Sequence, residues 1–254
     1  MAGYKIHNQK RNKVVLSVMA ASFLFVICVL FILMLHNSFR QKASLEITQR
    51  YRTFEGKVER LIYSNTILLE GFQAYISGNP NMDTDEAYGY LDRLLAGNMK
   101  YIRNIGVMED TTMRWNYPRA GNAEIIGVDL ATLEGQGEWV LKVKKTGLPL
   151  VQGPINLVQG DSGFSVRIPI FVDGVYWGQT SIVLKASEVL DAINCYASEA
   201  GITLAIYSDG KEKPFIGPSE PFRSELVFHM DPSFINWQVH VLLSGGLLDN
   251  LLLL

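Results

Sequence analysis

Inside the stretch GPINLVQGDSGFSVRIPIFVDGVYWG, Gly153 to Gly178, a single arginine interrupts an apolar run. Alternate side chains of a strand face opposite sides, so Phe164, Val166, Ile168 and Ile170 share one face while Ser165, Arg167 and Phe171 share the other. A guanidinium at position 167 either meets water, as on any half-buried strand, or lines a cavity, where its planar fork would fit a carboxylate. Residues able to do covalent or metal chemistry are scattered. His7, His36, His229 and His240 have no cysteine or carboxylate at metal-ligand spacing. No Walker loop, G-x-G-x-x-G, H-E-x-x-H, C-x-x-C or G-x-S-x-G elbow occurs. Asp129, Glu134 and Glu138 could be paired by the fold, yet carboxylates are ordinarily solvated surface groups. The chain is therefore expected to hold no catalytic site, no metal and no cofactor.

Charge excludes another class. With 23 basic and 25 acidic residues the net charge is −2, and no basic patch is interleaved with aromatics, so no nucleic-acid partner is expected. Cys28 and Cys195 are the only cysteines, which excludes a disulfide framework within the domain.

The elements that must position Arg167 begin with an anchor. Val14 to Leu35 runs 22 residues without a charge, about 33 Å as a helix against a hydrocarbon core of about 30 Å. It reads as an uncleaved membrane span at 14–35, because the MLHNSF that follows lacks a small-x-small cleavage pattern. Lys5, Lys10, Arg11 and Lys13 precede it, biasing residues 1–13 toward the cytoplasm and the domain toward the other side. Ile47, Tyr51, Phe54, Val58, Leu61, Asn65, Leu68, Phe72 and Tyr75 then alternate spacings of 4 and 3, a heptad seam on a stalk helix over 36–78 that SGNP ends. That seam serves either a homodimer, with Asn65 setting register, or packing on the chain's own domain.

Beyond the stalk the spacing predicts a helix over Asp85–Ala96, capped by Asp83 or Thr84 with Glu86 closing the box, one over Gly137–Lys145 ended by Gly147, and one over Glu188–Ala200 capped by Ser187 and ended by Gly201. Between them YIRNIGVM, MRWNYP, EIIGVDL, INLVQ, FSVRIPIFV, VYWGQTSIVL, ITLAIYS, ELVFHM and WQVHVLL read as strands, with hairpins at Asp173-Gly174 and Asp209-Gly210 and a longer turn at GDSG. The pattern is α+β, a long N-terminal transmembrane and stalk helix followed by two antiparallel sheets. The closing VLLSGGLLDNLLLL is expected to begin a second span cut short at 244–254, or to be a terminal strand with an apolar tail.

The segments TGLPLVQGPINL, GFSVRIPIF and GVYWG, in that order and spacing, resemble the CHASE domain, an extracytoplasmic sensor of membrane histidine kinases, nucleotide cyclases and plant cytokinin receptors. The resemblance covers about Tyr75 to Ile193. It implies two PAS-like modules, here 79–186 membrane-distal and ligand-binding and 187–243 membrane-proximal, a dimer through the stalk, and a cytoplasmic kinase or diguanylate cyclase module of a two-component or related system outside this chain. It places Gln136, Val158 and Arg167 at pocket positions. Cytokinin receptors carry an acidic residue at the first and a small hydroxyl at the third, so Arg167 and Gln152 point instead to a more polar or anionic small molecule. Trp115 and Tyr117 are expected either as an aromatic wall of the pocket or as core. The function implied is a small-molecule sensor in the inner membrane with its domain periplasmic or extracellular. The alternative is a single-span, membrane-anchored protein-binding module that senses nothing.

Overall fold

The computed structural model describes residues 2–97, 99–157, 160–208, 210–218, 226–230 and 235–244, with side chains from Leu16 onward. Two compact units divide at Thr48 and Gln49. Helix α1 (Ala2–Thr66) supplies the whole of the first unit. Every large apolar side chain from Leu16 to Leu35 is exposed, and among the described residues this is the one helix long and apolar enough to cross a membrane.

In the second unit α1 gives way at Ile67 to α2 (Leu68–Gly78), where a single stalk helix is predicted. Thr66 Oγ1 donates to Ile62 O at 3.2 Å and to Tyr63 O at 3.0 Å, a back-bond that bends helices, and the Glu70 amide then reaches only three residues back to Ile67 O. The seam is buried within the single chain. Tyr51, Phe54 and Val58 are fully covered, but beyond Asn65 the buried set is Leu69, Phe72 and Ile76 and not the predicted Leu68 and Tyr75. A helix keeping 3.6 residues per turn drifts off a 3.5-residue seam in this way, as expected of packing on its own domain. Asn65 Nδ2 donates to Leu61 O of its own helix.

Helix α3 (Thr84–Leu95) is capped by Asp83, whose carboxylate accepts from the Glu86 amide at 2.8 Å. Glu86 does not close the predicted box; it accepts from Tyr75 Oη instead. Strands β1 (Ile102–Glu109) and β2 (Thr112–Tyr117) follow. The predicted strand EIIGVDL forms two short 3-10 turns, Ala123–Ile125 and Leu130–Thr132. Gly127 at φ 84° breaks extension between them, and Asp129 Oδ1 accepts from the Ala131 amide, starting the second turn. Helix α4 (Gly137–Thr146) ends at left-handed Gly147. Its first residue packs so closely that a Cβ on Gly137 would lie 2.2 Å from Ala131 O.

Strands β3 (Leu150–Asn156), β4 (Ser162–Val172) and β5 (Val175–Lys185) complete a five-stranded antiparallel sheet ordered β2-β1-β5-β4-β3. Asp173 and Gly174 turn β4 into β5 with φ of 50° and 78°, as the hairpin signal requires. Helix α5 (Ala186–Ala200) starts directly from β5, so Ser187 lies inside it and is not its cap. It leads to β6 (Ile202–Ser208), β7 (Leu226–Met230) and β8 (Trp237–Leu243), a three-stranded antiparallel sheet ordered β6-β8-β7. Asp209 and residues 245–254 lie outside the described residues. After Gly210 the chain returns along β6 through a bridge between Ile206 and Ile216. The fold is α+β with two antiparallel sheets in a PAS-like arrangement.

The five-stranded sheet is covered on both sides. Helices α2 and α3 pack on the face carrying Trp115, Val107 and Val166, whereas α4 and the 3-10 turns cover the face carrying Arg167. There Met108, Met113, Ile125, Leu130 and Val140 form a buried apolar cluster.

Candidate ligand cavity

Register assembles the site. Arg167 on β4 pairs with Ser181 on β5, Ser181 with Gly106 on β1, and Gly106 with Asn116 on β2. One row along, Gln152, Ser165, Val183 and Asn104 align in the same way across β3, β4, β5 and β1. Two rows of one sheet face thus carry six polar side chains, and all six are buried. A covered sheet face is ordinarily apolar, since an unpaired buried polar group costs about 1–3 kcal/mol.

Five of them, Arg167, Ser181, Asn116, Ser165 and Asn104, line a cavity of about 20 Å³ with Val183, Met113, Ile125, Leu130, Gln136, Ile155 and Leu157, while Gln152 stands behind the guanidinium and lines the neighbouring groove. The cavity has room for about one water. The missing Cβ of Gly106 keeps part of it open, because a methyl there would lie 2.9 Å from Met113 Cε and from Ser181 Oγ.

Arg167 is 2% exposed. Its Nη1 donates to Gln152 Oε1 at 2.7 Å and its Nη2 to Gln136 Oε1 at 3.1 Å, while Nε has no partner. Gln152 is itself held by donating from Nε2 to Gly135 O at 2.6 Å. Among the described residues no carboxylate pairs with Arg167. Burial pulls its pKa down to about 10, so it is a cation at neutral pH. Removing an ion from water costs several kcal/mol unless a counter-charge is supplied, and the described residues supply none. Asn116 Nδ2 and Ser165 Oγ are also buried without a partner.

Gln136 and Gln152 both hold the Arg167 guanidinium, which is buried and lines the cavity and is not on a solvated face. Val158 lies outside the described residues. Trp115 and Tyr117 form no wall of this cavity. The ladder slips on β2, where Met113 pairs with Met108 but Trp115 with Val107, so Arg114 is an extra residue that turns Trp115 and Tyr117 to the opposite face. There Tyr117 Oη donates to Asp92 Oδ1 of α3 at 2.6 Å, and the Arg114 guanidinium lies 4.3 Å from the Trp115 ring. Trp115 is core. Asn104, Asn116, Ser165 and Ser181 escaped the sequence reading; their signal was a polar or small residue repeated at one parity in four strands.

A groove of about 550 Å³ runs beside the cavity, between the α4 approach, β3 and the second sheet. Gln136 and Ile155 line both spaces and so form the wall between them. Glu134 and Glu138 line the groove, not the cavity, and Asp129 serves as a turn cap.

A profile of the CHASE domain matches residues 83–215, which contain the cavity. Among solved structures the chain is similar to an extracellular ligand-binding receptor from Desulfohalobium retbaense DSM5692, at 15% identity and a TM-score of 0.61, covering 79% of this chain and 40% of that one. It is similar to the ligand-binding domain of the Pseudomonas aeruginosa PAO1 amino acid chemoreceptor PctC in complex with GABA, at 14% identity and TM-score 0.54, covering 82% and 99%. The ligand-binding domain of the Pseudomonas fluorescens chemoreceptor CtaA in complex with L-serine follows at 13% and 0.56, covering 83% and 97%. At such identities the likeness is one of fold. No curated protein matches the chain.

Proposed function

Since the chain belongs to the CHASE domain family, we propose that it is the extracytoplasmic small-molecule sensor of a membrane-anchored signalling protein, with its ligand in the cavity around Arg167. One observation carries this reading: a buried arginine that has no counter-ion and leaves one N–H unpartnered among the described residues, and that lines a cavity. An acidic group of the ligand supplies the missing charge, bound by Arg167 with Gln136 and Gln152 holding the guanidinium in place. The fold shared with chemoreceptor domains solved with GABA and L-serine supports a ligand of metabolite size.

Residues 14–35 cross the membrane, with residues 1–13 cytoplasmic and the sensor modules 79–186 and 187–243 in the periplasm or outside the cell. Occupancy is read at β5, which carries Ser181 and Val183 into the cavity and continues without a break into α5. At its other end α5 is tied to α1, since Arg50 Nη1 donates to Ala200 O at 3.0 Å and Lys57 pairs with Glu199. Coupling between such sites is typically about 1–3 kcal/mol. The stalk passes this to a second copy through residues outside the buried seam, and to a kinase or cyclase module in the cytoplasm.

The test is a thermal-shift screen of small organic acids on the chain in lipid nanodiscs, with Arg167→Lys beside it. A folded lysine variant should lose the ligand, because a point charge cannot reproduce the fork. Equal binding by both proteins refutes the reading.

A further inference from the structure

The hydrogen-bonding groups facing the cavity are unevenly spent. Each amide oxygen of the four Asn and Gln side chains in or beside it already accepts one hydrogen bond. Gln152 Oε1 and Gln136 Oε1 take the two Arg167 donors, Asn116 Oδ1 takes Asn104 Nδ2 at 2.8 Å, and Asn104 Oδ1 takes Arg103 Nη1 at 3.4 Å. The fully buried groups without a partner among the described residues are Arg167 Nε and Asn116 Nδ2, both donors only, and the Ser165 hydroxyl, which can donate. No Asp or Glu stands among the described residues lining the cavity.

An ammonium group brings three donors and a positive charge. Here it would find an arginine without a counter-ion, amide oxygens already engaged and no carboxylate. A ligand made of acceptors answers all three free groups. The two donor-only groups also lie on one row of the sheet, on β4 and β2 with β5 and β1 between them, so acceptors are wanted at both ends of the cavity. The cavity as it stands has room for little more than a water, so a ligand of even a few heavy atoms requires Ile125, Leu130 and Leu157 to move.

We infer that the ligand is a short carboxylic acid without an ammonium group, a hydroxy, keto or dicarboxylic acid and not an amino acid, its carboxylate on Arg167 and Ser165 at the β4 end and a second oxygen on Asn116 at the β2 end. This deepens the sensor reading above and rests on it. It departs from the amino acids named with the structural neighbours.

The test uses the full chain in nanodiscs and matched pairs differing in the amino group: lactate and pyruvate against alanine, malate and succinate against aspartate, 4-hydroxybutyrate against GABA. Calorimetry gives each affinity, for wild type and for Arg167→Gln, with Arg167→Met taken in its place if the glutamine variant fails to fold. At least one nitrogen-free acid is expected to bind, its amino partner at least tenfold more weakly, and the Arg167 variant not at all. An amino acid binding as tightly as its partner overturns the inference; if the Arg167 variant abolishes that binding, the anion-sensor reading stands and only the ligand class falls. Binding unaffected by the Arg167 variant sinks both. A panel in which neither kind binds overturns the ligand class. Asn116→Asp, which replaces a free donor by acceptors, should narrow or reverse the preference, and an unchanged preference in that variant also counts against it.

Discussion

Gln152 ties Arg167 to the start of α4: its Oε1 accepts from Arg167 Nη1 at 2.7 Å across the β3–β4 ladder while its Nε2 donates to Gly135 O at 2.6 Å. The neutral amide orients the cation without neutralising it, which leaves the charge for a ligand. Gln152→Glu would supply the counter-ion from within. Its carboxylate, at charge-assisted hydrogen-bonding distance, should mimic an occupied site. The variant is expected to be at least as stable as wild type against urea and to lose acid binding by tenfold or more. Retained binding would show that Arg167 does not meet the ligand's charge.

Arg167 itself should cost the empty protein stability. A buried cation held only by two amides has not recovered its desolvation, and apolar replacement of buried charges is often neutral or stabilising. Arg167→Met is expected to raise the stability of the ligand-free protein by about 1–3 kcal/mol, or about 2–4 °C per kcal/mol in Tm. A large loss of Tm would mean that the guanidinium is structural.

Gly106 tests the cavity without touching its charge. An added methyl meets Met113 Cε, Met113 Sδ and Ser181 Oγ at 2.9–3.0 Å, and these are movable side-chain ends with no backbone among them. Gly106→Ala should therefore fold, cost about 1–3 kcal/mol by overpacking, and close the space. Calorimetry should find ligand binding abolished while circular dichroism is unchanged.

Much of this was legible in the sequence, for reasons that differ by element. Gly147 and Gly201 ended their helices as expected because a left-handed cap is a local event, and the Asp173-Gly174 hairpin formed because both residues tolerate positive φ. Arg167 drew notice because a cation at one parity of an apolar strand is locally odd. Its partners were a matter of register. Asn116 meets Arg167's row, and Asn104 the row of Ser165, only once β2 pairs with β1 and β1 with β5, and no short-range signal encodes which strands are neighbours. The bulge at Arg114, which moved Trp115 and Tyr117 off the cavity, leaves no mark in the residue pattern either. The seam was read at the right helix with the wrong period, since a 4-3 alternation fits 3.5 and 3.6 residues per turn over two heptads and separates only beyond Asn65.

The buried seam makes its own prediction. Phe54 and Phe72 have no exposed surface within the single chain. Phe54→Ala is expected to destabilise the domain by about 3–5 kcal/mol through the cavity it leaves, measured by urea unfolding at two protein concentrations. A loss that appears only at the higher concentration would assign the seam to a second copy.

The link from α5 to the stalk can be broken at Gly201. This residue ends α5 at φ 63°, and a Cβ there would lie 2.3 Å from Arg50 Nη1, the group that caps Ala200 O. Gly201→Ala should cost about 1–2 kcal/mol through its left-handed backbone and displace Arg50. Arg50→Ala removes the cap without straining the backbone, and the loss of that hydrogen bond costs about 0.5–1.5 kcal/mol. Lys57–Glu199, the second tie, is exposed; its hydrogen bond to Lys57 holds the Glu199 carboxyl below the usual range. Its contribution is thus complete above the ordinary carboxylate pKa, fades as pH falls through the lowered value, and is screened by salt. If α5 carries occupancy to the stalk, a bound acid should change amide exchange over 49–66 in wild type. Arg50→Ala should keep the affinity and lose that change, more completely with Lys57→Ala added. A response that persists in the double variant would mean that the ligand's signal reaches the stalk by another route.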